Sequence, residues 1–340
     1  MKNKWLKRIL IVTMVILGIC LIATSNFKEI IYSLREIKPS ILFIIIFLQI
    51  ITEILLIFQW YKISKLMGLP VNFFKMMIIN AKGNIMDSVT PGAKVGGEFL
   101  RGLLFKEKLG YTTNQSISLI AIQKIISVGS LVTMGLLALL FTPKDLLFLN
   151  NKGLKYVLVT VLSILVLFFI TLIIYPKKIV DLFNRKKSNN KWLNMIKKWT
   201  YEFSEHILKI QGNKKALVFQ FTLSTLIWMI FPIKLIILVS TFGLKINILG
   251  LFATTLISYV IGMIPLLPGG LGSFEMTMSG LLIMMGLTTE QSLITSVTFR
   301  FVTFWFVVLL SLLVSAVGSI RERGKHEKEK TNKQMERTTT

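Results

Sequence analysis

The sequence predicts an all-α, polytopic integral membrane protein with about six transmembrane helices and two re-entrant hairpins arranged as an inverted repeat. Hydrophobic residues make up 53% of its 340 residues and charged residues only 16%, whereas about a quarter of the residues of soluble proteins are charged. Segments 157–175 and 301–320 carry no charge, and each approaches the ~20 apolar residues that a helix needs to cross a bilayer. Two related parts of the chain, described below, predict the repeat.

Six segments have the length and apolar character of full spans. They cover residues 6–25, 41–60, 116–141, 154–175, 216–242 and 293–318. Basic residues precede the first segment, as in a signal peptide, but no small-residue cleavage site follows it, so we interpret it as an uncleaved helix. The single cysteine, Cys20, excludes a disulfide framework or a cysteine metal cluster within one chain.

Two further apolar stretches, 73–90 and 247–266, each end at or just before a Pro-Gly pair. The first stretch contains polar and charged side chains, namely Asn80, Lys82, Asn84 and Asp87. Such polarity at bilayer depth is tolerated only where protein or a watery cavity surrounds it. We therefore interpret these stretches as re-entrant hairpins.

The distribution of positive charge predicts the orientation. The formal net charge is +24, and the basic residues concentrate near the N-terminus, in the loop 176–215 and in the tail 321–340. If 73–90 enters and returns, all three lie on the cytoplasmic side, as the positive-inside rule requires; a crossing would place 176–215 outside. The sequence predicts a multi-pass plasma-membrane protein with cytoplasmic termini, a transmembrane domain over 1–320 and a disordered tail over 321–340.

These basic segments flank apolar spans, where they meet anionic lipid head groups. We expect contact with the anionic membrane surface and no nucleic-acid binding, because no basic folded domain stands apart from the membrane.

The chain repeats itself over 41–141 and 216–318. Pro91 and Glu98 in the first half match Pro268 and Glu275 in the second, because each glutamate follows its proline by seven residues. The run Thr-Thr-Asn-Gln-Ser at 112–116 then matches Thr-Thr-Glu-Gln-Ser at 288–292.

Each of these runs is followed, eight residues after its serine, by a cation within an apolar span: Lys124 in the first half and Arg300 in the second. Four matched features in one order indicate an ancestral duplication. With the predicted orientation the two copies enter from opposite faces, which is the design that places a substrate site near the midplane in many transporters.

Glu98 and Glu275 each follow a glycine-rich turn. Glycine permits positive φ and close approach of a polar group, and broken helices expose dipoles that can hold an ion or a head group. The candidate binding residues of the second turn are Pro268, Gly269, Gly270 and Gly272. The alternative interpretation is that the glycines only form hairpin tips and the glutamates cap the following helices.

Lys124 and Arg300 are candidates for binding a lipid phosphate. A cation at the centre of a span costs about 2.5–3.5 kcal/mol on insertion scales, so it normally faces the bundle interior and has a partner. The expected partners are Glu98, Glu275 or a lipid phosphate. A purely structural ion pair between helices is the alternative.

Other charged residues are weaker candidates. Lys94 and Arg101 lie near the cytoplasmic hairpin, where they could bind a phosphate, although a surface position alone would also explain them. Glu53 lies within the span 41–60, and Lys234 is expected to extend its ammonium group towards the outer interface.

Motifs for a phosphate-binding loop, a nucleophile elbow and a His-Glu-x-x-His zinc site do not occur in the sequence. We predict no catalytic residue, cofactor or metal.

The motifs around the two turns are specific enough to compare with known families. They comprise Asn84, the runs 88–92 and 96–98, Arg101, Ile264-Pro265 and the Pro-Gly-Gly-x-Gly-x-x-Glu stretch at 268–275. Together they resemble the flippase-like family that is built on the membrane region of lysylphosphatidylglycerol synthases. The resemblance covers roughly residues 5–320, and the stretch at 268–275 is its most specific part.

The resemblance implies a role in lipid movement. In the bifunctional relatives a soluble C-terminal domain transfers lysine from lysyl-tRNA to phosphatidylglycerol, and the membrane part is assigned the movement of the product outwards, which resists cationic peptides. This sequence has about 20 residues after its last predicted span, so synthase activity is not carried over. It also departs from the acidic–basic pair expected in the third span, where it has Gln123-Lys124.

We therefore predict a translocase of an anionic or aminoacylated phospholipid, or of a polyprenyl-phosphate lipid. One alternative is a protein related to phosphatidylglycerol lysyltransferases, or a partner that supplies lipid to a separate transferase. Another is a membrane scaffold that binds cytoplasmic proteins through its basic segments.

Overall fold

Helices make up the regular secondary structure of the part of the chain that the computed structural model describes. The described residues are 35, 37–90, 95–141, 152–184, 191–243, 247–263 and 268–321. The all-α class is thus confirmed. The predicted first span at 6–25 and the predicted tail beyond residue 321 lie outside the described residues.

We number the helices of the described residues in chain order. They are α1 Pro39–Leu66, α2 Phe73–Val89, α3 Val95–Leu109, α4 Thr113–Phe141, α5 Lys152–Ile174, α6 Pro176–Asn184, α7 Lys191–Gly212, α8 Lys214–Val239, α9 Ile248–Gly262, α10 Ser273–Met284 and α11 Thr289–Arg321. A 3₁₀ turn, Ser240–Phe242, extends α8, and a second one covers Pro268–Gly270.

Four helices are long and apolar enough to cross a membrane: α1, α4, α8 with its 3₁₀ turn, and α11. They correspond to the predicted spans 41–60, 116–141, 216–242 and 293–318. Helix α5 has 23 residues and corresponds to the predicted span 154–175. A multi-pass membrane protein is therefore confirmed, and the exact number of crossings stays a prediction.

Local sequence determines where several helices begin and end. The side chain of Asn72 accepts a hydrogen bond from the backbone N–H of Lys75 at 3.0 Å and caps α2. Thr288 and Gln291 form a reciprocal capping box at the start of α11. Gly68 follows α1 with φ of 76°, a left-handed conformation that glycine adopts without steric cost.

The predicted hairpin stretches are each followed by a return helix. Helices α2 and α3 have 17 and 15 residues, or about 25 and 22 Å at 1.5 Å per residue, which is shorter than the ~30 Å hydrocarbon core. Helices α9 and α10 have 15 and 12 residues. Each pair packs side by side, so both form helical hairpins. That they are re-entrant stays a prediction.

The two halves have the same order of elements: a long helix, two short helices and a second long helix. Their first long helices, α1 and α8, run antiparallel. Gln49 of α1 contacts Lys234 of α8, whereas the ring of Phe58, further along α1, lies 6.5 Å from that of Phe219, near the start of α8. These two equivalent helices thus run in opposite directions, as an inverted repeat requires.

The last turns of α2 lie beside the middle of α1. Helix α2 begins beside the C-terminal half of α1, where the rings of Phe73 and Tyr61 lie 6.1 Å apart. Asn84 of α2 then lies 3.4 Å from the carboxylate of Glu53. The remaining turn of α2 adds about 7 Å. The turn Pro268–Gly270 of the second hairpin also contacts α2, so both hairpins meet inside the helical bundle.

Buried apolar side chains form two main clusters among the described residues. One includes Phe231, Phe274 and Phe299 and surrounds the second hairpin. The other includes Trp60 and Phe105 and joins the first hairpin to α4 and α7. Each hairpin is therefore anchored in its own apolar core.

Candidate functional site

The first hairpin and the following long helix are joined by an ion pair between Glu98 and Lys124. Glu98 lies in the first turn of α3, and its Oε1 contacts the Nζ of Lys124 on α4. The lysine side chain is 32% exposed and the glutamate 20%. A partly exposed pair can exchange partners, because both charges remain accessible to another ion.

The second hairpin has the matching pair in the same place. Glu275 lies in the first turn of α10, and its Oε1 is 3.3 Å from the Nε of Arg300 on α11. The arginine side chain is only 9% exposed. Its guanidinium carbon lies 4.7 Å from the ring centre of Phe274 and 4.4 Å from that of Phe304. The second pair is thus more enclosed than the first.

Both sequence-predicted pairings are therefore observed, and the second also has a structural task. Glu275 Oε2 accepts the backbone N–H of Gly272 at 2.7 Å, which is the helix cap proposed as the alternative. Arg300 donates to the carbonyl oxygen of Gly269. The pair ties the glycine turn to α11 as well as placing a charge there.

The glycines of the second turn are required by its geometry. Gly269, Gly270 and Gly272 have φ of 63°, 70° and 77°. A Cβ at Gly270 would lie 2.5 Å from the carbonyl oxygen of Gly262 at the end of α9. Only glycine combines this backbone conformation with so close an approach.

Arg101 lies in a different environment from the one expected. It is buried, and its Nη1 lies 3.1 Å from Asp87 Oδ2. Its Nη2 donates to Asn84 Oδ1 at 2.6 Å, and Asp87 Oδ1 accepts the N–H of Gly97 at 2.9 Å. Arg101 holds α2 to α3 and is not on the surface to bind a phosphate. Lys94 lies outside the described residues.

Lys234 is also placed differently from the sequence prediction. Its side chain is 1% exposed and donates to Gln49 Oε1 and, at 3.2 Å, to Thr52 Oγ1. Gln49 in turn donates to Glu53 at 3.0 Å. The ammonium group does not reach towards an interface, because this amide and hydroxyl satisfy it inside the bundle.

A continuous polar network follows from these contacts. It begins at Lys234, passes through Gln49, Glu53, Asn84 and Arg101, and ends at Asp87. Sequence reasoning noted several members singly but did not connect them. The network joins the two halves, since Lys234 belongs to the second half and the other members to the first.

Two further features complete the site. Immediately after Arg300, α11 contains a π-helical turn, Phe301–Trp305, and such turns often occur at functional sites. Among the described residues, no three His, Cys, Asp or Glu side chains come close enough to hold a metal ion.

Comparison with known proteins gives a consistent result. The profile of the lysylphosphatidylglycerol synthase transmembrane region matches residues 5–311. The chain is 24% identical over 315 residues to a UPF0104 membrane protein of Methanothermobacter thermautotrophicus, covering 88% of this chain and 91% of the relative. A UPF0104 membrane protein of Pyrococcus horikoshii is 24% identical over 323 residues, with 89% and 95% covered. One of Methanocaldococcus jannaschii is 22% identical over 288 residues, with 79% and 82% covered.

The long apolar helices, with two halves that each contain a helical hairpin and a glutamate–cation pair, define a multi-pass helical membrane protein. The chain belongs to the family of the lysylphosphatidylglycerol synthase transmembrane region.

Proposed function

We propose that this protein is a lipid translocase of the plasma membrane. Its substrate is an anionic or aminoacylated phospholipid or a polyprenyl-phosphate lipid, and both termini lie in the cytoplasm. The observation that carries the proposal is the repeated glutamate–cation pair, which occurs once at each hairpin, in two halves whose first long helices run antiparallel. An inverted repeat of this kind is a common basis for alternating access.

The first pair supports a specific mechanism. A lipid phosphate that approaches Lys124 competes with Glu98 for the ammonium group, and the partial exposure of both side chains leaves room for this exchange. Glu98, once released, accepts the ammonium of an aminoacylated head group or takes up a proton. The acyl chains remain in the surrounding lipid, so only the head group needs a polar path.

The second pair supports a different task in the same cycle. Arg300 binds Glu275 and the carbonyl of Gly269 and lies between two aromatic rings. It cannot release its partners without loosening the turn Pro268–Gly270. We infer that a head group bound near Arg300 displaces Glu275 and so couples lipid binding to movement of the second hairpin.

The test is transbilayer movement of labelled lipids in liposomes that contain the purified full chain. Phosphatidylglycerol, its lysyl ester and a polyprenyl phosphate are compared, in the wild type and in a Lys124→Gln/Arg300→Gln double variant. A Lys106→Gln variant, which removes an exposed lysine from the same hairpin, is the matched control. We expect rapid movement of one lipid class in the wild type and the control, and its loss in the double variant.

Two outcomes would contradict the proposal. If folded wild-type protein moved none of the three lipids, the proposed translocase activity would be wrong. The hypothesis that the protein supplies lipid to a separate transferase would then be favoured. If the double variant kept the wild-type rate, lipid movement would not depend on the glutamate–cation pairs.

A further inference from the structure

An open cavity of about 520 Å³ lies between the start of α4 and the middle of α7, away from the two glutamate–cation pairs. Its size is in the range of small-ligand sites. The lining residues are Thr112, Thr113, Asn114, Gln115, Lys198, Glu202, Glu205 and His206. The two helices that line the cavity are packed together, because Phe203 and Ile207 on the other side of α7 belong to the buried apolar cluster that includes α4.

Two carboxylates, those of Glu202 and Glu205, line this cavity. Within the described residues, no lysine or arginine nitrogen lies within 4.0 Å of Glu202 or Glu205. Glu202 accepts one hydrogen bond, from Asn114 Nδ2 at 2.9 Å, and its second oxygen remains available. The basic loop 176–215 contains only three acidic residues, and two of them line this cavity.

His206 supplies a second, independent indication of a ligand. Its side chain is only 8% exposed, and its Nδ1 is buried without a hydrogen-bond partner among the described residues. A buried polar group of this kind is normally satisfied. Burial lowers the pKa of His206, the charge of Lys209 lowers it further, and Glu202 and Glu205 act in the opposite direction. The imidazole is therefore neutral at pH 7 and offers one acceptor nitrogen.

A capping box occupies two of the backbone donors at the start of α4. The backbone N–H of Thr112 donates to Gln115 Oε1 at 2.8 Å, and the N–H of Gln115 donates to Thr112 Oγ1 at 3.2 Å. This capping box uses these two backbone donors at the mouth of the cavity. Among the described residues that line the cavity, Glu202 and Glu205 supply two negative charges and Lys198 is the single cationic side chain.

We propose that this cavity binds a primary ammonium group, which donates its N–H bonds to Glu202, Glu205 and His206. The group can belong to a lipid head group or to a free amine, since the chemistry of recognition is the same. Asn114, at the cavity, precedes Lys124 on α4 by ten residues, or about 15 Å. A bound head group would therefore lie about 15 Å along α4 from the first glutamate–cation pair. Binding at this cavity does not require that the protein translocates lipid.

The experiment compares ligands that differ only in their ammonium hydrogens. The full-length protein in phosphatidylcholine nanodiscs is titrated with radiolabelled ethanolamine and with radiolabelled choline, which has no N–H to donate. In a second arm, native mass spectrometry compares retention of phosphatidylethanolamine with that of phosphatidylcholine. We expect at least about a tenfold preference for the primary ammonium in one or both arms, from charge-assisted hydrogen bonds to two carboxylates.

Three variants test where the preference arises. Glu202→Gln/Glu205→Gln should abolish it, while the glutamine at 202 keeps an oxygen for Asn114. Lys198→Gln, in the same cavity, should strengthen ammonium binding roughly two- to fivefold by removing a like charge. Glu107→Gln, an exposed glutamate on α3, should change nothing. Circular dichroism confirms that each variant is folded.

The outcomes separate the sources and the proposals. A preference in the lipid arm alone identifies a head group, and one in the ethanolamine arm alone identifies a free amine. The site would be overturned if ethanolamine bound no better than choline and phosphatidylethanolamine no better than phosphatidylcholine. It would also be overturned if the preference survived in the double glutamate variant. A protein that shows the preference but moves no lipid would refute the proposed translocation and leave this site intact.

Discussion

The ion pair between Asp87 and Arg101 leads to a quantitative stability prediction. Both side chains are 7% exposed, Asp87 Oδ2 lies 3.1 Å from Arg101 Nη1, and Asp87 also accepts a hydrogen bond from the Gly97 N–H. Asp87→Asn keeps an oxygen for that N–H but leaves the guanidinium without a counter-charge. Removing one partner of a buried pair costs about 3–5 kcal/mol. We expect Asp87→Asn to lower the free energy of unfolding by that amount.

The matching double variant should recover most of this loss. Asp87→Asn/Arg101→Met removes both charges and fills much of the arginine volume with an apolar side chain. Replacing a buried pair by apolar groups is often nearly neutral, so we expect the double variant within about 2 kcal/mol of the wild type. Lys106→Met, an exposed lysine on the same helix, should change stability by less than about 0.5 kcal/mol.

The assay is unfolding of the full chain in mixed detergent micelles, followed by circular dichroism. The two single variants and the double variant form a thermodynamic cycle whose coupling energy we expect to exceed about 1 kcal/mol. If the single losses simply added, the two residues would not act as one buried unit. The account of Arg101 as the clamp between α2 and α3 would then be wrong.

Three further predictions use the same unfolding assay. Lys124→Gln should cost at most about 1 kcal/mol because its pair is partly exposed, whereas Arg300→Gln should cost about 3–5 kcal/mol; similar losses would contradict the different burial of the two pairs. Gly270→Ala should lower the free energy of unfolding by at least about 2 kcal/mol, because its φ is positive and the new Cβ clashes with a carbonyl oxygen. Gly280→Ala, whose added Cβ has nothing within 4 Å, should be neutral or stabilising. Equal effects of the two substitutions would refute the turn geometry. Burial lowers the pKa of His206 in the folded protein, so at a pH below the ordinary histidine pKa the unfolded chain binds more protons than the folded one. The free energy of unfolding should therefore fall as the pH drops through about 6.5. His206→Gln should flatten this pH dependence, and an unchanged dependence in the variant would show that another group causes it.

Much of the fold follows from the sequence because bilayer physics constrains it so strongly. The long apolar runs predict α1, α4, α8 and α11, since a helix satisfies its own backbone in lipid. The pairing of Glu98 with Lys124 was also predictable. The second half has the same combination, Glu275 followed by Arg300, with a spacing that differs by one residue, so a single chance charge does not explain the pattern.

Arg101 was harder to place, although the sequence contained a usable signal. In a helical hairpin, residues equally far from the tip face each other across the two helices. Asp87 and Arg101 lie 14 residues apart, on either side of the segment that joins α2 to α3. Reading the hairpin as two facing helices would have paired them and placed Arg101 inside.

Lys234 could not have been placed from local sequence. Its partner Gln49 is 185 residues away, and their contact depends on how α1 and α8 pack across the two halves. Periodicity within either helix contains no information about that packing. The polar network through Glu53 is a tertiary property for the same reason.

The two hairpins are equivalent in the repeat but are held together by different forces. Where the first has Asp87 and Arg101, the aligned positions of the second are Ile264 and Met278. The second hairpin relies instead on aromatic packing, with the rings of Tyr259 and Phe274 at 5.0 Å.

A perfectly symmetric inverted repeat would give its inward-facing and outward-facing states equal energy. If the proposed translocation involves two such states, the different contacts within the two hairpins make their energies unequal. Separating α2 from α3 breaks the buried Asp87–Arg101 pair, whereas separating α9 from α10 uncovers the packed rings of Tyr259 and Phe274, and these two costs change differently with temperature. The balance between the two states would then depend on temperature.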